Sequence, residues 1–133
     1  MPHVREAITD AWRRAGFDGA DAIDVIEVHD CMTPSEYLAI DHLGLTDPGM
    51  SWQAIEEGTI CREGDTPVNP GGGLIGGGHP VGATGARMVA DAVAQVTGTA
   101  GPIQIEGARR VQTLNIGGST ATTVSLVVEG VAS

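Results

Sequence analysis

The stretch Asn69–Arg87, NPGGGLIGGGHPVGATGAR, decides how the rest of the chain is read. Eight glycines and two prolines fall within nineteen residues, around one His–Pro pair. Glycine serves where backbone takes positive φ or approaches another group closely, and it costs conformational entropy elsewhere. A flexible linker would carry glycines without His79, Pro80 and the helical pattern that follows them. The stretch reads as a rigid loop that delivers His79 to a working position and then starts a helix over Ala83–Val96. Ala86, Ala90, Val93 and Val96 or Thr97 recur there at helical spacing, and residues this small imply close packing against another element.

Outward from that loop, Val4, Ala7, Ile8, Ala11, Trp12 and Ala15 mark an amphipathic helix stopped by Gly16. Ile23–Val28 is a short β-branched strand. His29-Asp30-Cys31 follows at its carboxyl end, where ligands sit in open α/β sheets. The next helix is expected to run to about Leu43, with Thr33 as N-cap, Pro34 at the first helical position and Glu36 completing a capping box. Trp52–Glu57 is a candidate short helix, Asp65–Pro70 a loop and Gly98–Pro102 a turn. Arg110–Ile116 and Thr120–Glu129 read as strands joined by Gly117-Gly118-Ser119, an antiparallel hairpin. The last strand, ATTVSLVVE, is expected to be buried on both faces. Together these make an α/β layer with an antiparallel edge.

Composition narrows the class. With 133 residues the chain is long enough for one domain, 1–133, with its own core. Aromatic residues are 3% of it, so Val, Ile, Leu and Ala must fill that core. Seven Lys and Arg against seventeen Asp and Glu give a net charge of −10, which repels nucleic acid. No apolar run is long enough to span a membrane and no secretory pattern opens the chain, so a cytoplasmic location is expected. Two cysteines do not make a disulfide framework.

Several constellations invite chemistry, and each has a plainer reading. Gly71-x-Gly73-x-x-Gly76 matches a dinucleotide fingerprint in letters, yet no strand leads into it and no acidic residue sits about 20 positions on in a second strand. His29, Cys31 and His79 could be three zinc ligands, but the His-x-Cys spacing is awkward and no fourth ligand is evident; no metal is expected. Cys31 is either a buried small hydrophobe or a thiol activated by His29 and the adjoining helix start. Cys61, without such neighbours, is read as the former. His79 is either a turn histidine bonded to local backbone or a working group. Asn115-Ile116-Gly117-Gly118 is either a plain hairpin turn or a source of backbone N–H groups for an oxyanion hole.

Gly78–Arg87 (GHPVGATGAR), with Asn69-Pro70-Gly71-Gly72-Gly73 before it, resembles the signature of the C-terminal half of thiolases. His29-Asp30-Cys31-Met32 resembles the His-Asp-Cys-Phe element of the sterol-carrier-protein type, with Met32 in place of Phe. The resemblance covers essentially the whole chain. It implies a layered, thiolase-like α/β half with a five-stranded mixed sheet, or fewer strands in the isolated half, and the antiparallel C-terminal hairpin. It implies that His79 activates a nucleophilic cysteine, that His29 completes the thioester oxyanion site and that Cys31 is the acid/base at the α-carbon. The Gly117 N–H, in the stretch that begins at Asn115, would contribute to a second oxyanion hole. Gly72, Gly73 and Gly78 would crowd the substrate. Coenzyme A would enter as the thioester substrate, with no separate cofactor.

The same resemblance implies an acyl-CoA acyltransferase of lipid metabolism whose nucleophile is not in this chain. An N-terminal thiolase half or a cysteine-bearing partner subunit would supply it, in a homo- or hetero-oligomer, and the chain alone would turn nothing over. A thiolase-like aldolase or lyase subunit acting on sterol side-chain CoA thioesters is the alternative, and a non-catalytic assembly subunit is a third.

Overall fold

A computed structural model describes residues 1–131. In chain order the elements are α1 (Pro2–Ala15), β1 (Val25–Val28), α2 (Thr33–Leu43), α3 (Ser51–Glu56), α4 (Gly73–Gly77), α5 (Thr84–Val96), β2 (Arg110–Gly117) and β3 (Thr122–Glu129). Short 3₁₀ turns at Ala20–Ala22 and Gly101–Ile103 lead into β1 and out of α5. Both long N-terminal helices end as their sequences dictate. Gly16 and Gly44 take left-handed conformations and return their N–H groups to the last-turn carbonyls.

The strands form one mixed sheet in the order β1-β2-β3. β1 runs parallel to β2 from Val25↔Val111 to Val28↔Leu114, and β2 runs antiparallel to β3 from Arg110↔Glu129 to Gly117↔Thr122. A single parallel bridge, Ile26↔Val68, flanks β1 on its other side. Three strands thus stand where five were the upper expectation. The loop before the glycine stretch contributes one bridged residue, because Pro70 and the positive φ of Asn69 turn the chain away at once.

Alternation along the strands sorts the core into two layers. Ile26, Val28 and Leu114 meet Val4, Ile8 and Trp12 of α1 and Ala39, Ile40 and Leu43 of α2. On the opposite face Val25 and Val111 meet Ala92 of α5. Each fully buried Ile, Leu or Val contributes roughly 1.5–3 kcal/mol, so aliphatic side chains carry the core with few aromatic ones. The first layer also has a polar key. Trp12 Nε1 donates to Gln112 Oε1 at 2.9 Å, Gln112 Nε2 donates to Ser125 Oγ at 2.9 Å, and Ser125 donates to the Thr113 carbonyl at 3.0 Å. Gln112 is fully buried, and this chain satisfies both ends of its amide.

Three expectations need correction. β3 is not buried on both faces: Val124 and Leu126 are about half exposed, because β3 is the sheet edge and α5 covers β1 and β2 before it. Its first residue is Thr122, and the connection takes in Gly118–Ala121, a longer turn than Gly117-Gly118-Ser119. At the start of α2 the N-cap is Met32, with no side-chain cap; the Met32 carbonyl accepts the Ser35 N–H at 2.8 Å, so the Thr33–Glu36 capping box does not form.

Candidate functional site

The carboxyl ends of the parallel strands β1 and β2 open onto a cleft of about 550 Å³. One wall comes from the segment after β1, with His29, Cys31 and Met32, and from Ser35 and Leu38 of α2. A second comes from His79 and Val81 of the glycine loop. The third is Ile116–Thr120, where β2 turns into β3. Of the residues singled out from the sequence, His29, Cys31, His79 and Gly117 meet here. Among the described residues no group of three His, Cys, Asp or Glu side chains converges as a metal site would require.

Successive residues after β1 diverge, and that divergence separates the cleft-lining side chains from one that holds the scaffold. His29 and Cys31 line the cleft, while Asp30 between them is buried and turns beneath the glycine loop. Its carboxylate accepts the Leu74 N–H at 2.7 Å and the Ile75 N–H at 3.4 Å, holding the first turn of α4. Asn69 adds a second clamp: its side-chain oxygen accepts the Val28 N–H at 2.8 Å and its own N–H donates to the Ile26 carbonyl at 2.8 Å. Gly73 is pinched between the two clamps. A Cβ there would lie 2.4 Å from an Asp30 oxygen and 2.6 Å from Asn69 Nδ2, and its φ is +59°. The N–H groups that a dinucleotide phosphate would need are therefore taken by the chain's own carboxylate.

Gly78 comes next, with φ 91° and ψ 160°, a conformation closed to residues with a Cβ. It turns the chain so that His79 enters the cleft. Gly72, Gly73 and Gly78 do not themselves line it. The glycine identity of Gly73 and Gly78 has the causes just given, and Gly72 likewise takes a positive φ of +94°.

His79 and His29 sit with ring centroids 4.9 Å apart and planes at 88°. His79 Nδ1 lies 2.7 Å from the hydroxyl of buried Thr84, so it is not held by local backbone. Burial holds the His29 pKa below its usual value, and the neighbouring His79 adds to this. His29 Nδ1 is buried without a hydrogen-bond partner, an uncommon condition for a polar atom. Cys31 is exposed, with Sγ 3.5 Å from Ser35 Oγ, which excludes the filler reading for that thiol. Cys61, expected to be buried, is exposed in the turn after α3 and lies away from the cleft. Asn115 does not line the cleft either: its amide lies against α5, with Nδ2 2.9 Å from Met88 Sδ. The turn beyond Gly117 is strained, since Ser119 and Thr120 have φ of 52° and 76°, and a β-branched residue avoids that region.

Sequence reasoning passed over Asp30, Asn69 and Thr84 as members of this site. Asn69 alone carried a signal, as Asn is the residue after Gly most tolerant of positive φ. It also passed over Glu27, which is buried under α5 near Arg87 and Asp91. Burial, reinforced by Asp91, pushes the Glu27 carboxyl up to about 7.

The thiolase C-terminal domain-like family matches residues 1–130. The acetyl-CoA acetyltransferase of Methanothermobacter thermautotrophicus is 44% identical over 116 residues, covering 87% of this chain and 30% of that protein. Human sterol carrier protein 2 is 37% identical over 126 residues, covering 95% of this chain and 23% of that protein. Among solved structures, the Ltp2-ChsH2(DUF35) aldolase superposes with a TM-score of 0.86 at 23% identity, over 98% of this chain and 32% of that one. The chain thus spans less than a third of the length of these relatives. With its fold, its His-Asp-Cys and Gly-His-Pro loops in one cleft and this match over nearly every residue, the chain belongs to the thiolase C-terminal domain-like family.

Proposed function

We propose that the chain supplies the histidine and acid/base half of a thioester site in a thiolase-like acyl-CoA acyltransferase, with the nucleophilic cysteine coming from an N-terminal half or partner subunit. The observation that carries this reading is the convergence of His29, Cys31, His79 and Gly117 on one cleft from loops up to 88 residues apart, 117 − 29 in the chain. In that cleft His79 accepts the proton of the partner's thiol, and the resulting thiolate attacks the 3-keto carbonyl carbon of a 3-ketoacyl-CoA. The carbon–carbon bond breaks, and the Cys31 thiol protonates the departing α-carbon. His29 and the Gly117 N–H stabilise oxyanions as they form. Coenzyme A enters as the substrate's thioester and as the thiol that releases the acyl group.

The exposed apolar stripe Ala86, Ala90 and Val93 on the outer face of α5 supports a partner half lying there. The test is reconstitution with a cysteine-bearing N-terminal thiolase half and an acetoacetyl-CoA thiolysis assay. Replacing His79 or Cys31 by Ala is expected to lower turnover at least 100-fold. Full activity of both variants would refute the assignment and leave an assembly subunit.

A second reading, a retro-aldol lyase subunit on sterol side-chain CoA thioesters, needs no nucleophilic cysteine. It is favoured by one fact: Cys31 is the only cleft cysteine among the described residues, and Cys61 lies elsewhere. Cleavage of a β-hydroxyacyl-CoA without free coenzyme A would select it over thiolysis.

A further inference from the structure

We propose that Thr84 is the positioning residue that holds His79 in the tautomer with the proton on Nδ1, reserving Nε2 as the basic nitrogen. The proposal rests on the reading of His79 as the proton acceptor and adds the residue that prepares it.

The argument starts from the proton count of one hydroxyl. Thr84 Oγ1 lies 2.7 Å from His79 Nδ1 and 3.1 Å from the Pro80 carbonyl oxygen. A carbonyl can only accept, so the single hydroxyl proton belongs on the Pro80 side when that bond is made. Oγ1 then turns a lone pair to the imidazole, and Nδ1 must carry the hydrogen. In a neutral ring this leaves Nε2 unprotonated.

The surroundings hold the two groups in place. Thr84 is buried and is the first residue of α5, so its hydroxyl cannot turn to water. The Pro80 carbonyl is held in place by the N–H groups of Ala83 and Thr84, at 2.8 and 3.0 Å. Pro80 itself follows His79 directly, so the loop that carries the imidazole also carries the acceptor that orients its partner.

The same bonds serve both stages of a proton transfer. Before it, Nδ1–H donates to Oγ1 and Nε2 holds a lone pair. When a thiol proton reaches Nε2, the S–H bond breaks, an N–H bond forms and a thiolate remains. Nδ1–H still donates to Oγ1 in the imidazolium, so no hydrogen bond behind the ring is remade. A hydroxyl also differs from a carboxylate here, because it orients the ring without placing a negative charge behind it.

The test is long-range ¹H–¹⁵N correlation NMR of the ¹⁵N-labelled chain at pH 8, in wild type, Thr84→Val and Thr84→Ser. Wild type is expected to show His79 with a protonated-type Nδ1 resonance and an unprotonated-type Nε2 resonance. Thr84→Val is expected to lose that pattern and to weaken the cross-relaxation between the His79 and His29 rings. Thr84→Ser is expected to restore both, with amide spectra of all three confirming the fold. A wild-type spectrum with the proton on Nε2, or an unchanged His79 pattern in Thr84→Val, would overturn the proposal. Because the readout needs no partner and no turnover, its failure is distinct from failure of the thioester reading.

Discussion

Replacing Glu27 by Gln is expected to stabilise the chain at neutral and alkaline pH and to leave it nearly unchanged in acid. Glu27 is 1% exposed on the face of β1 that α5 covers, with one carboxyl oxygen buried and unpartnered. Its pKa rises from 4.5 to about 7, chiefly through burial, with Asp91 adding to the rise and Arg87 opposing it. The folded chain therefore binds a proton that the unfolded chain releases between those values. Stability is greatest below pH 4.5 and falls as pH rises through 7. At 1.36 kcal/mol per pH unit, the full effect is about 3 kcal/mol. Gln is isosteric with the protonated acid and does not titrate, so at pH 8 the variant is expected to gain about 2–3 kcal/mol. With a urea slope of about 2 kcal/mol/M, its unfolding midpoint should rise by about 1 M or more. At pH 4.5 the two midpoints should agree closely. Comparing the two proteins at each pH cancels every other titrating group. An equal or lower midpoint for the variant at pH 8 would refute the reasoning. It would mean that Glu27 is ionised and bonded to Arg87, whose Nε and Nη2 are themselves buried without partners.

Other perturbations test the scaffold of the cleft. Gly73→Ala is expected to cost about 3 kcal/mol or more in urea unfolding, since the new methyl meets the Asp30 carboxylate in a left-handed backbone. Trp12→Phe is expected to cost about 1–3 kcal/mol in the same assay by orphaning the buried Gln112 oxygen. His29 has a lowered pKa in the fold, so the unfolded chain takes up a proton first as pH falls. Stability should be fully present above about pH 6.5 and lost below it. His29→Asn should flatten the fall in melting temperature between pH 7.5 and 5.5, and an unchanged slope would show that His29 does not contribute.

The parts legible in the sequence are those that local rules decide. α1 follows from apolar spacing, the ends of α1 and α2 from Gly16 and Gly44, and the β2–β3 hairpin from paired β-branched runs around glycines. α5 forms over the span that its spacing marks, but the face it buries is Thr84, Met88, Ala92 and Gln95, not Ala86, Ala90 and Val93. The contents of the cleft were legible through the His-Asp-Cys and Gly-His-Pro motifs. What was hidden depends on partners distant in the chain. The single turn of α4 lies inside a glycine run with poor helix propensity and forms because Asp30, 44 residues earlier, accepts its first N–H groups. The missing cap at Thr33 could not be read from a pattern that fits the capping box in letters. β3 has the composition of a buried strand, and only its place at the sheet edge exposes Val124 and Leu126. Asn115 looked like a member of the cleft because it stands two residues before Gly117 in the Asn-Ile-Gly-Gly stretch, yet strand alternation turns its side chain to the face under α5.

The divergence of His29 and Cys31 from Asp30 gives the site a modular character. Three consecutive residues divide by direction: the outer two line the cleft, and the middle one ties down the glycine loop. The side chains at 29 and 31 can therefore be exchanged while the tether beneath the His79 loop stays intact. A scaffold built this way can change the lining of its cleft by single substitutions, without refolding the loop that carries His79.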